Sequence, residues 1–159
     1  MSAEHINTPT ILIDADACPV KDEAYRVAER YDLPVYVVAN SYMRIPREDF
    51  ITQIVVSDGF DAADDWIAER ASAVCIVITA DILLAERCVT AGATVIAPTG
   101  KPFTENSIGG QVATRAIMAD LRAGAIGNNI GGPAPFSKAD RSRFLQALDL
   151  AATKLKRAV

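Results

Sequence analysis

The sequence predicts an α/β fold, a single three-layer domain built on a mostly parallel sheet with helices added at the C-terminal end. Three observations predict it. Short apolar runs alternate with amphipathic stretches from residue 10 to residue 97, which is the pattern of βαβ units. The runs are apolar without interruption, as strands covered on both faces are. The length of 159 residues fits one domain. The domain is taken as 1–159, with a core over about 10–122 and a C-terminal loop and helix over 123–157.

The elements follow in order. Thr10-Ile-Leu-Ile-Asp14 is an apolar run closed by an acid and reads as a buried strand. Val20, Ala24, Val27, Ala28 and Tyr31 recur at helical spacing over residues 20–31, with Pro19 suited to the first turn. Leu33-Pro34 ends that helix. Strands follow over Val35–Ala39 and Ile51–Val56, and Ser57-Asp58-Gly59 reads as a turn. A helix over about 61–71, a strand over 74–79, a helix over about 81–90 ended by Gly92, and a strand over 94–97 complete the alternation. Beyond Pro98 the pattern changes. Residues 99–106 read as a polar loop, and 107–122 as a helix packed through Val112, Ile117, Met118 and Leu121. Residues 124–135 are rich in Gly and Pro and read as a loop. A last helix over about 138–156 turns Phe144, Leu145, Leu148 and Leu155 inward.

Composition excludes several function classes. No window approaches the ~18 apolar residues of a membrane span, and the first nine residues lack the basic-then-apolar pattern of a signal peptide. A cytoplasmic location is the expectation. Cys18, Cys75 and Cys88 are odd in number and lack C-x-x-C spacing, which speaks against a disulfide framework or a zinc knuckle. The one histidine, His5, lies near the N-terminus, so chemistry that needs a histidine base is not expected. The net charge is −4. Residues 1–100 hold 7 basic and 16 acidic side chains, whereas 101–159 hold 9 basic and 4 acidic ones. That split suggests an acidic site beside a cationic flank, although solvated helix faces that differ in sign account for it equally.

In open parallel sheets, ligands bind outside the carboxyl ends of the strands. Asp14 closes the first strand and Asp16 follows it; Asp81 follows the fourth. Asp58 follows the third, and Asp61, Asp64 and Asp65 open the next helix. If the first and fourth strands are neighbours, Asp14, Asp16 and Asp81 converge. Clustered carboxylates repel unless a cation compensates, and a hard divalent ion, Mg²⁺ or Mn²⁺, suits oxygen ligands. Simpler roles exist for most of these acids. Asp81 and Asp61 can cap helices, Asp64 and Asp65 can answer a helix dipole, and the three acids of that helix can form a solvated face. A carboxylate ending an all-apolar strand is harder to explain structurally, because burying it is costly unless it is paired or metal-bound.

The stretch Asp14-Ala-Asp16-Ala-Cys18-Pro19 also admits two other chemistries. One is a phosphoaspartyl enzyme of the haloacid-dehalogenase type with Asp14 as nucleophile, Asp16 as acid, and Thr79 and Lys101 downstream. Its final acidic pair is missing, since only Glu105, Asp120, Asp140 and Asp149 follow the lysine. The other is a thiol mechanism at Cys18, which the neighbouring acids and the lack of a histidine base disfavour. Pro98-Thr-Gly-Lys101-Pro102 lacks the earlier glycine and the Ser/Thr of a phosphate loop. Ile108-Gly109-Gly110-Gln111 opens a helix, where backbone N–H groups can meet a phosphate. Lys101, Arg115, Arg141 and Arg143, with Arg122 and Lys138, are candidate phosphate contacts.

Taken together, Ile11-Leu-Ile-Asp-Ala-Asp-Ala-Cys-Pro-Val20, Asp61-Ala-Ala-Asp-Asp-Trp-Ile67, Ile78-Thr-Ala-Asp-Ile-Leu-Leu-Ala85 and Gly132-Pro-Ala-Pro-Phe-Ser137 resemble the YaiI/YqxD family of uncharacterised bacterial proteins over about residues 10–148. The resemblance implies a PIN-like fold, that of metal-dependent ribonucleases with an acidic cluster on a parallel sheet, by analogy at the level of the fold. It implies Asp14, Asp16 and Asp81 as ligand positions, with Asp61, Asp64 and Asp65 as further candidates. One departure is Ala116, where relatives often carry an acid. The expected activity is therefore Mg²⁺- or Mn²⁺-dependent hydrolysis of RNA. Asp14 and Asp81 would hold the metal, while Asp16 and one of Asp61, Asp64 or Asp65 would complete its shell or position water. The basic C-terminal half would hold the strand. Asp14, Asp16, Asp81 and Asp65 are the catalytic candidates. A non-catalytic module that binds metal or nucleic acid is the alternative, and a haloacid-dehalogenase-like phosphatase a further one.

Overall fold

The structure is a computed structural model and describes residues 6–16, 18–57, 61–110 and 136–158. Five parallel strands form the sheet: β1 (Thr10–Asp14), β2 (Val35–Ala39), β3 (Ile51–Val55), β4 (Cys75–Ile78) and β5 (Thr94–Ile96). A two-residue strand, β6 (Pro102–Phe103), pairs antiparallel with β5. The order is β3-β2-β1-β4-β5-β6. The chain winds outward from β1 in one direction through β2 and β3, then returns to the other side of β1 for β4 and β5. The gap between the carboxyl ends of β1 and β4 is thus the topological switch point, where open α/β sheets bind ligands.

The helices lie in two layers. α1 (Lys21–Tyr31) and α5 (Lys138–Arg157) cover one face, against Ile11, Ile13, Val35, Val37, Ile76 and Ile78. α2 (Ala62–Arg70) and α3 (Ile82–Thr90) cover the other, against Leu12, Val38, Cys75 and Val77. Consecutive strand residues alternate between these two cores, so every position of β1 before Asp14 is apolar or hidden. Between β6 and α5, helix α4 begins at residue 105 and is described to residue 110.

The expected α/β class and the mostly parallel sheet are present, and the expected strands lie within a residue or so of their observed bounds. β6 was not anticipated; two residues opened by a proline give no strand pattern. The helix expected from 107 starts at 105. Pro19 precedes α1 rather than entering its first turn, and Val20 occupies the cap position. Phe144 and Leu148 are buried as expected, while Leu145 and Leu155 pack partly buried. His5, the Asp58-Gly59 turn, the packing positions 112–121, Arg115, Ala116, Arg122 and the 124–135 loop lie outside the described residues. Among the described residues, no helix is long and apolar enough to cross a membrane.

α5 is fixed by specific contacts. Ser137 and Asp140 form a reciprocal capping box at its start. Asp149 accepts hydrogen bonds from Arg30 (2.9 Å) and Tyr31 (3.0 Å), joining α5 to α1. Gly100, in the turn between β5 and β6, lies directly under the backbone of Arg143 and Phe144. Its φ is +90°, and a Cβ there would stand 2.5 Å from the Arg143 carbonyl carbon. Gly100→Ala is therefore expected to destabilise the protein by about 2–4 kcal/mol, from unfavourable φ and forced separation of α5 from the turn. Urea denaturation measures it, and a loss below about 0.5 kcal/mol would show that the turn and α5 separate readily.

Candidate functional site

β1 and β4 are neighbours in parallel register, with Ile13 beside Ile78. This places Asp14 next to the start of the segment Thr79-Ala80-Asp81. Thr79 is a buried hydroxyl that donates to the Asp14 carboxylate at 2.8 Å. It also accepts from the Asp81 backbone N–H at 3.0 Å. One threonine therefore spends its donor on the acid that ends β1 and its acceptor on the turn that carries the acid opening α3. Asp81 does cap α3, accepting from Leu83 at 2.9 Å and Leu84 at 3.4 Å. Both bonds use the same oxygen, Oδ1, and the capping role engages only that half of the carboxylate.

Asp14, Asp16, Asp64 and Asp81 line a common cleft of about 530 Å³, with Cys18 and Pro98 among its other walls. Burial pushes the Asp14 carboxyl from its ordinary 3.8 up to about 6; the Thr79 hydrogen bond opposes the rise, and Asp64, Asp16 and Asp81 add to it. Asp64, on the first turn of α2, is raised too, by burial and then by Asp81 and Asp61, with Arg87 opposing. Two elements on opposite sides of the switch point thus aim mutually repelling carboxylates into one space. Among the described residues, no three His, Cys, Asp or Glu side chains stand close enough to form a metal cage by themselves.

The other predicted residues fall elsewhere. Asp65 is exposed and pairs with Arg87 at 2.8 Å, tying α2 to α3. Asp61 adopts a left-handed backbone (φ 67°) and makes no side-chain cap bond, so the capping role open to it from sequence is not the one it plays. Neither Asp61 nor Asp65 lines the cleft. Asp64 does, rather than sharing a solvated face with them. Cys18 lines the cleft, but burial pushes its thiol up, away from the thiolate a nucleophile requires.

The predicted phosphate contacts are also dispersed. Arg141 donates to the Pro19 carbonyl at 2.6 Å, pairs with the buried Glu23 at 3.3 Å and lies over the Phe136 ring. Arg143 pairs with Asp140 at 2.6 Å. Arg141 joins α5 to the start of α1, whereas the Arg143 pair lies within α5. Lys101 is exposed and lines no part of the cleft, so a phosphoaspartyl scheme lacks its lysine there. Thr79 is the site residue that the metal reading of the sequence missed. A threonine two residues before a helix-opening Asp, straight after a buried strand, was the available signal.

These features define a class: a three-layer α/β protein with a carboxylate cleft at the switch point of its sheet. The chain belongs to the YaiI/YqxD family, whose family model, described as an uncharacterized BCR family, matches residues 12–154. A UPF0178 protein of Sphingopyxis alaskensis is 65% identical over 152 residues, covering 96% of this chain and 98% of that one. A UPF0178 protein of Nitrobacter winogradskyi is 60% identical over 148 residues, covering 93% of each. One from Brucella ovis is 56% identical, covering 96% of this chain and 94% of its own. No solved structure matches the chain.

The raised Asp14 carboxyl gives the protein, in the absence of divalent ions, a defined pH dependence. Its folded-state value of about 6 lies above the ordinary 3.8, so between these values the folded state holds more protons than the unfolded one. Stability from this group is fully present below 3.8 and is lost as pH rises through about 6. Thermal melts in EDTA should show that decline, and Asp14→Asn should flatten it across the same window. An equally steep decline in the variant would assign it to another group.

Proposed function

We propose that the cleft binds Mg²⁺ or Mn²⁺ and hydrolyses phosphodiester bonds in RNA, as a PIN-like metal-dependent nuclease. The observation that carries this reading is the meeting of Asp14, Asp16, Asp64 and Asp81 in one cleft at the switch point. The fit rests on donor chemistry. The four carboxylates offer hard oxygen ligands, and the one sulfur present is a buried thiol held in its neutral form. Mg²⁺ keeps several waters and takes only one or two carboxylates directly, so an open cleft without a closed cage suits it. The strand order and the acids at the carboxyl edge support the PIN-like comparison, which remains an analogy of fold.

Asp14 and Asp81 are the residues that would hold the ion, with Asp16 and Asp64 on its outer side. The bound ion would supply charge for the phosphoryl oxygens and lower the pKa of an attacking water. Thr79 fixes the Asp14 carboxylate, so the ligand does not swing when charge enters the cleft. Asp64 faces that position from the other layer and can accept a proton from water. The Asp65–Arg87 pair links α2, which carries Asp64, to α3, which Asp81 opens.

A second reading, a binding module without turnover, is favoured by one feature: Asp81 and Asp65 already carry structural duties, as a helix cap and as an ion-pair partner. Two measurements separate the readings. Mn²⁺ or Mg²⁺ at a hundredfold excess over Kd should stabilise the folded protein by roughly 2.7 kcal/mol, seen as a rise in Tm. Asp14→Asn should abolish most of that rise while leaving the metal-free protein as stable or more so. Mixed-sequence single-stranded RNA should be cleaved only with the metal present. Binding without cleavage favours the module. No metal-dependent shift in wild type, with Asp14→Asn merely destabilised, makes the carboxylates structural.

A further inference from the structure

Arg141 and Arg143 are each paired with a carboxylate, so cations without such a partner are the stronger candidates for meeting a polyanion. The segment between β2 and β3 supplies them. Residues 42–45 pass over the α1 side of the sheet, with Met43 and Ile45 packed partly buried on that core and Tyr42 and Arg44 exposed. Tyr42 is 82% exposed, the most exposed large aromatic or aliphatic side chain among the described residues. Gln53 of β3 clamps the segment by two bonds: its side-chain oxygen accepts from the Met43 N–H at 2.8 Å, and its amide donates to the Met43 carbonyl at 2.7 Å.

Tyr42, Arg44 and Arg47 line a cavity of about 570 Å³. Glu48 is the one acid among its lining residues, so the net charge there is positive. Neither arginine makes an ion pair or side-chain hydrogen bond with any described residue, whereas Arg30, Arg87, Arg141 and Arg143 are each paired with a carboxylate. The surface runs from Tyr42, just beyond the carboxyl end of β2, to Ile51 at the start of β3, so its Tyr42 end is the one nearer the cleft. Val38 is the register partner of Asp14, and Tyr42 follows it by four residues. At the spacing of extended chain and adjacent strands, Tyr42 lies within roughly 18 Å of Asp14, a span of a few nucleotides.

We propose that segment 42–47 is a docking surface for single-stranded RNA, with Tyr42 stacking on a base and Arg44 and Arg47 holding phosphates. The proposal rests on the RNA reading of the cleft and names where the strand is held. Aromatic faces interleaved with basic side chains bind single strands without sequence preference. The Gln53 clamp presents them already ordered, which reduces the entropy lost on binding. A duplex hides its base faces and so gains nothing from Tyr42.

The test is fluorescence anisotropy of the full chain with a labelled, mixed-sequence single-stranded RNA in EDTA, where no turnover interferes. Tyr42→Ala should weaken binding by about fivefold to a hundredfold, and Tyr42→Phe should retain it. Arg44→Ala/Arg47→Ala should weaken binding and reduce the slope of log affinity against log salt by about 1.4, the share of two phosphates on a single strand. All variants should melt within a few degrees of wild type, since these side chains project outward. In the presence of metal, the variants should raise KM and leave kcat near its wild-type value. Binding unchanged in all three variants overturns the docking surface while the nuclease reading stands on cleavage by wild type. Equal loss on duplex and single strand overturns the stacking role of Tyr42. Absence of binding by wild type overturns the docking surface, and cleavage of the same RNA by wild type with metal present decides the nuclease reading separately.

Discussion

Asp14 sits at the end of a strand flanked on both sides by other strands and covered on both faces by helices, and a carboxylate in that position needs a partner. Thr79 is that partner. Its hydroxyl hydrogen bond is available only because β4 lies beside β1 in parallel register, with both strands delivering their carboxyl ends to the same edge. The β1–β4 neighbourhood in turn requires the chain to reverse its winding after β3. The switch point, the buried threonine and the turn that aims Asp81 are therefore one arrangement. A change in strand order would leave Asp14 without its hydrogen bond, at a cost of roughly 1–3 kcal/mol for an unsatisfied buried group and more for a charged one.

Much of this arrangement is legible in the sequence. Uninterrupted apolar runs identify β1 and β4 as interior strands, and an acid at the end of β1 is conspicuous against them. The register that unites Asp14 with Asp81 was legible only as a condition, that the two strands be neighbours, because strand order is set by crossovers that leave no local mark. Asp61, Asp64 and Asp65 illustrate a finer limit. Their spacing on a helix says which side chains share a face but not which way the helix is rolled. The burial of Ala63 and Ile67 sets that roll; it brings Asp64 to the cleft and leaves Asp65 to Arg87. The left-handed backbone of Asp61 lies outside helical periodicity altogether.

The basic C-terminal half shows that net charge has to be read together with geometry. The excess of cations there suggested a polyanion, yet Arg141 reaches a backbone carbonyl and a buried glutamate, and Arg143 closes onto its own helix. The Arg141 contacts help to seat α5 on α1, while the Arg143 pair stays within the first turns of α5. A guanidinium with five donors in a rigid fork is well suited to such an internal joint. Positive charge in sequence thus measures the supply of donors, and only the count of those left unengaged measures attraction for a ligand.

β6 has a consequence beyond closing the turn under α5. A sheet edge exposes a row of free N–H and C=O groups that can recruit a strand from another molecule. Here the β5 side ends in two residues, and the first of them, Pro102, has no N–H to offer. A foreign strand arriving at that edge meets too short a ladder, with a donor missing, to gain a foothold. The small antiparallel strand thereby acts as a guard against open-ended polymerisation, keeping a strongly apolar parallel sheet from growing past its own boundary.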